Sequence, residues 1–199
     1  MRNFWKRFPP FCMNKIIFTE TEGILMKSEK KPWFTYLSLI FISGILTILD
    51  QWTKQLAVIH LQNQPDFSLI PGVLSFHYLE NRGAAFGVFQ NRQILFLIMT
   101  TAILLFILYA LWKMPQEKKY RPLRLLSYFI TAGAIGNLID RVRLGYVVDF
   151  IYFSLIDFPV FNVADIYVTG SMILLILLVL FFYKNEEDFA FLARSKKNR

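Results

Sequence analysis

Residues 166–183, IYVTGSMILLILLVLFFY, run for eighteen positions without a charge. A helix rises about 1.5 Å per residue, and about 20 apolar residues cross a hydrocarbon core of roughly 30 Å. This stretch is therefore read as a membrane span. Working outward, three more uncharged windows appear at 32–49, 93–112 and 125–139, holding 18, 20 and 15 residues. The third would reach only about 22 Å by itself. Its helix is expected to continue through Asn137, Asp140 and Arg141 to near Leu144, carrying charge to the membrane edge. An ionisable residue placed there is a functional-site hypothesis by default, with a structural ion pair as the alternative.

Composition agrees with the windows. The 199 residues are 55% hydrophobic and only 18% charged, against about 25% charged in soluble domains. Of 22 Lys and Arg, seventeen lie before the first window, between the second and third, or after the fourth. Four spans put all three groups on one side, and short cytoplasmic segments are enriched in basic residues. Both termini and the 113–124 loop are thus expected to be cytoplasmic. The net charge of +8 is explained as a topology signal, so nucleic acid is not expected as a partner. Trp33, Trp52, Trp112 and Tyr183 fall at span ends, where amphipathic rings favour the headgroup zone.

The expected fold class is mainly α and integral to the membrane: four transmembrane helices, with a small β-containing extracytoplasmic segment at the outer interface. Residues 1–31 read as a cytoplasmic N-terminal extension, 32–184 as the four-span body and 185–199 as a basic cytoplasmic tail. The body includes an extracytoplasmic insert at about 51–92. Met26, followed by KSEKKPWF, would itself make a natural start, so residues 1–25 are expected to be dispensable. Within the insert, Pro65 and Pro71-Gly72 mark turns, and Leu74 to Glu80 alternates like a half-buried strand. Val147 to Phe153 is a second candidate strand. Gly83 and Gly87 in NRGAAFGVF permit a tight loop folding over an outer pocket, with a plain hairpin turn as the alternative.

With this topology, Asp50, Lys54, Asn81, Asp140, Arg141, Asp149, Asn162 and Asp165 all arrive at one membrane depth on the outer face. A serine triad needs a histidine and a nucleophile signature, yet His60 and His77 stand without Gly-x-Ser-x-Gly. Metalloprotease and phosphate-loop motifs are also missing. One cysteine, Cys12, and two histidines make neither an internal disulfide nor a zinc cluster. What remains is carboxylate chemistry. Asp149 in YVVDFIYF and Asp165 in FNVADIYV have apolar surroundings, and two acids held close in low dielectric share a proton. Such a pair can activate water for peptide hydrolysis. Spacing alone leaves solvated interfacial aspartates open as the alternative. Asn137, Asp140 and Arg141 share a helix face at i, i+3 and i+4. Arg141 could clamp a substrate backbone or hold Asp140. Asp50 and Lys54 form an i, i+4 pair, read for Lys54 as a surface cap of the first span. Asp66 and Asp157 read as solvated turn residues.

The succession DQWTK (50–54), ENRGAAFG (80–87), GNLIDR (136–141), VVDF (147–150) and FNVAD (161–165) closely resembles the lipoprotein signal peptidases, or signal peptidase II. The resemblance covers roughly residues 33–184. It implies an aspartyl endopeptidase of the bacterial inner membrane, active at the extracytoplasmic face. Such an enzyme removes the signal peptide from diacylglyceryl-modified prolipoproteins, cutting just before the lipidated cysteine. It implies Asp149 and Asp165 as catalytic residues, Asn81, Asn137 and Arg141 as substrate-binding, and Asp50, Lys54, Asp140, Asn162 and Ala164 as site-supporting. Membrane lipid and globomycin-type inhibitors are implied partners; no metal, no other cofactor and no oligomer are expected. The alternatives are a small transporter or channel subunit using membrane-edge Asp and Arg as an ion path, and a non-catalytic scaffold. A relay needs charges at several depths, whereas the middles of these windows carry none.

Overall fold

A computed structural model describes residues 33–83 and 92–192. The expectations for the N-terminal extension, for Cys12, for the Ala84–Gly87 part of the glycine-rich loop and for the last basic residues lie outside them. Four helices are long and apolar enough to cross a membrane. They are α1 (Trp33–Leu61), α2 (Gln93–Lys113), α3 (Arg121–Leu144) and α4 (Val163–Phe181), with strands β1 (Phe67–Ile70), β2 (Leu74–Asn81) and β3 (Val147–Tyr152). The strands form one antiparallel sheet in the order β1-β2-β3.

Helix α3 is the central member, packed against the other three. Lipid is as apolar as leucine, so helices in a bilayer associate through close packing of small residues and interhelical hydrogen bonds. Both occur here. The Ser43 hydroxyl donates to the Tyr128 carbonyl at 2.9 Å and Thr47 to the Ala132 carbonyl at 3.3 Å, joining α1 to α3. Gly133 of α3 lies so close to α4 that a Cβ there would sit 2.5 Å from the Ala164 carbonyl oxygen. Ile45, Ile48, Leu49, Trp52, Leu56 and Ile59 are exposed along one face of α1, the stripe expected to face lipid.

Two apolar clusters bracket the polar residues. Leu39, Ile107, Leu111, Leu123, Tyr128 and Tyr183 pack at the end where α1 begins and α2 finishes. Ala57 packs under the sheet with Val148 and Phe150 at the opposite end. Tyr183, read from sequence as an interfacial ring, is instead buried, and its hydroxyl donates to the Lys119 carbonyl at 2.5 Å. Arg124 is buried too, donating to the Pro115 and Glu117 carbonyls of the α2–α3 connection.

Helix α1 runs on through the first part of the expected outer insert, to Leu61. Nothing between Asp50 and Leu61 is a Gly or Pro, and Gln, Leu and Ala favour helix. The strand over Leu74–Asn81 and the one over Val147–Tyr152 match the sequence pattern, and β1 is an additional short edge strand.

Candidate active site

Three local devices deliver the polar residues to one place. Helix α3 stops at Gly145, whose φ of 77° lies in the left-handed region that suits glycine. The chain then enters β3 at once. Side chains alternate across a strand, so while Val148 and Phe150 join the cluster under the sheet, Asp149 points the other way. The register Leu79↔Asp149, Glu80↔Val148 and Asn81↔Val147 aligns the end of β2 beside it. The Asn81 amide donates to Asp149 Oδ2 at 2.8 Å. The third device is the start of α4, where Asn162 is the N-cap and Asp165 the third helical residue of a reciprocal capping box.

Asn162 joins the two acids. Its amide nitrogen donates to Asp149 Oδ1 at 2.6 Å, and its backbone N–H donates to Asp165 Oδ2 at 3.2 Å. Asp165 Oδ1 accepts from the Asn137 amide at 2.8 Å. Both aspartates line one cavity of about 340 Å³, together with Asn81, Gly83, Phe96, Arg141 and Phe161. Asp149 is 1% exposed. Burial, followed by the charge of Asp165, pushes its carboxyl up to about 7, against the partial opposition of Asn81, Asn162 and Lys54. A pair with one acid half-protonated near neutrality can both accept and donate a proton.

A second layer sits behind the pair. Lys54, read from sequence as part of a surface pair, is only 3% exposed, because its partners come from α3 as well as α1. Its ammonium reaches Asp140 at 2.8 Å, Asp50 at 3.0 Å and Asn137 Oδ1 at 2.8 Å. Asp50 is fully buried and accepts the Ala164 backbone N–H at 2.9 Å, fastening α1 to the first turn of α4. Asp140 also accepts from the Val148 N–H at 3.2 Å, fastening α3 to β3. Ala164 is fully buried with its Cβ against Gly136, where any added Cβ would strike the Asp50 carboxylate.

Of the two uses open to Arg141, holding Asp140 is not observed, since Lys54 and Gln51 take that carboxylate. Arg141 instead lies over the Phe96 ring at 4.7 Å, and its buried Nε has no hydrogen-bond partner among the described residues. Asn137 uses its oxygen on Lys54 and Asn162 and its amide on Asp165. Its side chain thus links Lys54, Asn162 and Asp165 in this structure. Asp66 pairs with His77 and Asp157 accepts from the Tyr152 hydroxyl, both in exposed positions. Sequence reasoning missed Gln51, which donates to Asp140 at 2.9 Å and to the Gly136 carbonyl at 3.1 Å. It also missed the Phe96 and Phe158–Phe161 walls of the cavity. Gln51 falls inside the DQWTK motif, but nothing in a lone glutamine signals partners on another helix. Among the described residues no three His, Cys, Asp or Glu side chains converge to hold a metal ion.

Comparison with known proteins adds an independent line. A family model described as signal peptidase (SPase) II matches residues 39–181. A lipoprotein signal peptidase of Streptococcus thermophilus is 45% identical over 131 residues, 66% of this chain and 84% of that protein. One from Caldanaerobacter subterraneus subsp. tengcongensis is 43% identical over 143 residues, covering 71% and 95%. Two solved structures described as bacterial membrane enzymes superpose with TM-scores of 0.64 and 0.63 at 30% and 34% identity. They cover 81% and 73% of this chain, and 94% of each neighbour is matched.

Proposed function

The chain belongs to the signal peptidase II family, and from that premise we propose that it releases signal peptides from prolipoproteins as an aspartyl endopeptidase with Asp149 and Asp165 as the catalytic pair. Protease activity on prolipoproteins and a multi-pass bacterial membrane location follow from the family and the four apolar helices. The transporter reading is not favoured. The observation that carries the aspartyl mechanism is that two carboxylates from separate elements, bridged by Asn162, face one cavity where the spans end.

In the proposed reaction the ionised aspartate takes a proton from water as the oxygen attacks the scissile carbonyl. The protonated aspartate hydrogen-bonds the carbonyl oxygen and neutralises it. The tetrahedral species then collapses as the base passes its proton to the leaving amine and the new hydroxyl returns a proton to the other aspartate, so the proton inventory of the pair is restored. Arg141, with its donors at the cavity wall, is assigned to substrate backbone carbonyls. Asn81 and Asn162 hold Asp149 in register with Asp165, and the buried Lys54, Asp50 and Asp140 lock α1, α3 and α4 around them.

The proposed substrate is a prolipoprotein whose cysteine carries a diacylglyceryl group, cut immediately before that cysteine. Acyl chains anchor it at about 0.8 kcal/mol per buried CH₂, which presents the scissile bond at the membrane surface. A cavity at the span ends meets it there. The distribution of Lys and Arg assigns the cavity to the extracytoplasmic side of the inner membrane, with both termini cytoplasmic. Globomycin-type cyclic peptides are the inhibitors expected for this cavity. The test is cleavage in vesicles of matched prolipoproteins with and without the diacylglyceryl group. The lipidated form should be cut before its cysteine and the unlipidated form spared; equal cleavage of both would refute the substrate assignment.

A further inference from the structure

The aspartyl pair leaves open which acid is charged at rest, and the layer behind it supplies an asymmetry. Lysine can only donate hydrogen bonds. The three hydrogens of the Lys54 ammonium meet three acceptors: Asp50 at 3.0 Å, Asp140 at 2.8 Å and Asn137 Oδ1 at 2.8 Å. The Asn137 oxygen is therefore turned toward Lys54, and Asn162 donates to the same oxygen at 3.1 Å. Its amide nitrogen must then face Asp165 Oδ1, where it stands at 2.8 Å. Asp165 Oδ2 accepts a backbone N–H in the first turn of α4, where unpaired peptide N–H groups favour negative charge. Both Asp165 oxygens thus act as acceptors, one of them at the end of a chain of donors that begins at a buried cation.

Asp149 has no comparable link. It lies in β3 between buried Val148 and Phe150, receives, among the described residues, only the neutral amides of Asn81 and Asn162, and is 1% exposed. The amide orientations there are fixed as well, because Asn162 Oδ1 accepts from the Asp165 N–H and Asn81 Oδ1 from the Gly83 N–H. Among the described residues, Arg141 on α3 is the charged group that shares the cavity with the pair. Lys54 and Asp50 on α1 and Asp140 on α3 stand one layer back, β2 offers the neutral Asn81, and α2 offers Phe96. Lys54 does not line the substrate cavity. It lines a separate one of about 140 Å³ with Gln51, Gln55, Tyr78 and Tyr146; its charge also acts through space on Asp149, but its hydrogen-bonded link to the pair runs through Asn137 to Asp165.

We propose that Lys54 is a positioning residue that, acting through Asn137, holds Asp165 as the ionised partner and general base and leaves the catalytic proton on Asp149. The proposal rests on the aspartyl reading above. Its test is the pH dependence of kcat/KM for prolipoprotein cleavage by wild type, Lys54→Met and Asn137→Ala. In wild type the acidic limb reports protonation of the base and the alkaline limb loss of the proton from the acid. Losing the donor chain should move the acidic limb up by about one pH unit and the alkaline limb by clearly less, so that the bell narrows. Where Lys54→Met gives no thermal unfolding transition, Asn137→Ala carries the test, since it leaves the ammonium with both of its aspartates. A folded variant whose acidic limb stays put, or whose two limbs move together, overturns the proposal. Asp149→Asn and Asp165→Asn are run alongside. If they cleave like wild type, the aspartyl reading itself fails; if they are inactive while the acidic limb is unmoved, only the relay fails.

Discussion

Replacing Asp149 by Asn should change how stability depends on pH, not merely its size. Burial and the nearby Asp165 raise the Asp149 carboxyl from 3.8 to about 7 in the folded protein. The folded state therefore holds a proton that the unfolded chain has already lost between those values. Stability falls as pH rises wherever the folded state binds more protons. The contribution is fully present below pH 4, declines through the window and is gone above pH 7. At 1.36 kcal/mol per pH unit the whole loss is about 4 kcal/mol, of which about 3 kcal/mol falls between pH 5 and pH 8. The substituted amide cannot ionise and escapes that loss. It brings its own cost, independent of pH, because its NH₂ would meet the amide donor of Asn81 or Asn162. A donor left facing a donor costs about 1–3 kcal/mol. The reading is thus the difference in slope: thermal unfolding followed by tryptophan fluorescence in detergent, at pH 5 to 8, for wild type and Asp149→Asn. Wild type should lose several degrees that the variant keeps. Parallel curves would refute the claim that Asp149 is buried with its proton.

Three further substitutions probe the packing and capping of the spans. Gly133→Ala puts a methyl 2.5 Å from the Ala164 carbonyl oxygen and 2.7 Å from Val168 Cγ2, so about 1–3 kcal/mol of stability and most cleavage should be lost. Gly44→Ala, with nothing within 4 Å, should be neutral or stabilise α1 by roughly 0.5–1 kcal/mol, as parallel melting curves would show. Asn162→Ala removes the α4 cap, worth about 1 kcal/mol, and the bridge to both carboxylates. Its kcat should fall by roughly 10²-fold while the fold survives; near-normal kcat would show that Asn162 does not align the pair.

Much of this arrangement is legible in the chain because membrane crossing imposes a strong pattern. The four windows, the continuation of the third helix past Asn137 and the strand at Val147 follow from length, charge and alternation. The shape of α1 beyond Asp50 is not, because a polar helix projecting past the span looks like a loop to a hydropathy argument. Lys54 is misjudged for a related reason: an i, i+4 acid-base pair reads as a surface feature. Its burial depends on Asp140 and Asn137, more than eighty positions away. Partners far apart in sequence decide these roles, and periodicity carries no information about them. Asp149 and Asp165 are recoverable because an acid inside an apolar run is costly without a reason.

The account turns on two acids acting as one unit, and single-turnover cleavage of a diacylglyceryl-modified prolipoprotein by purified wild type, Asp149→Asn and Asp165→Asn measures that most directly. Each variant should fold and bind substrate yet cleave at less than about a hundredth of the wild-type rate, with the double variant hardly slower than either single one. Wild-type cleavage by either folded variant would contradict the mechanism.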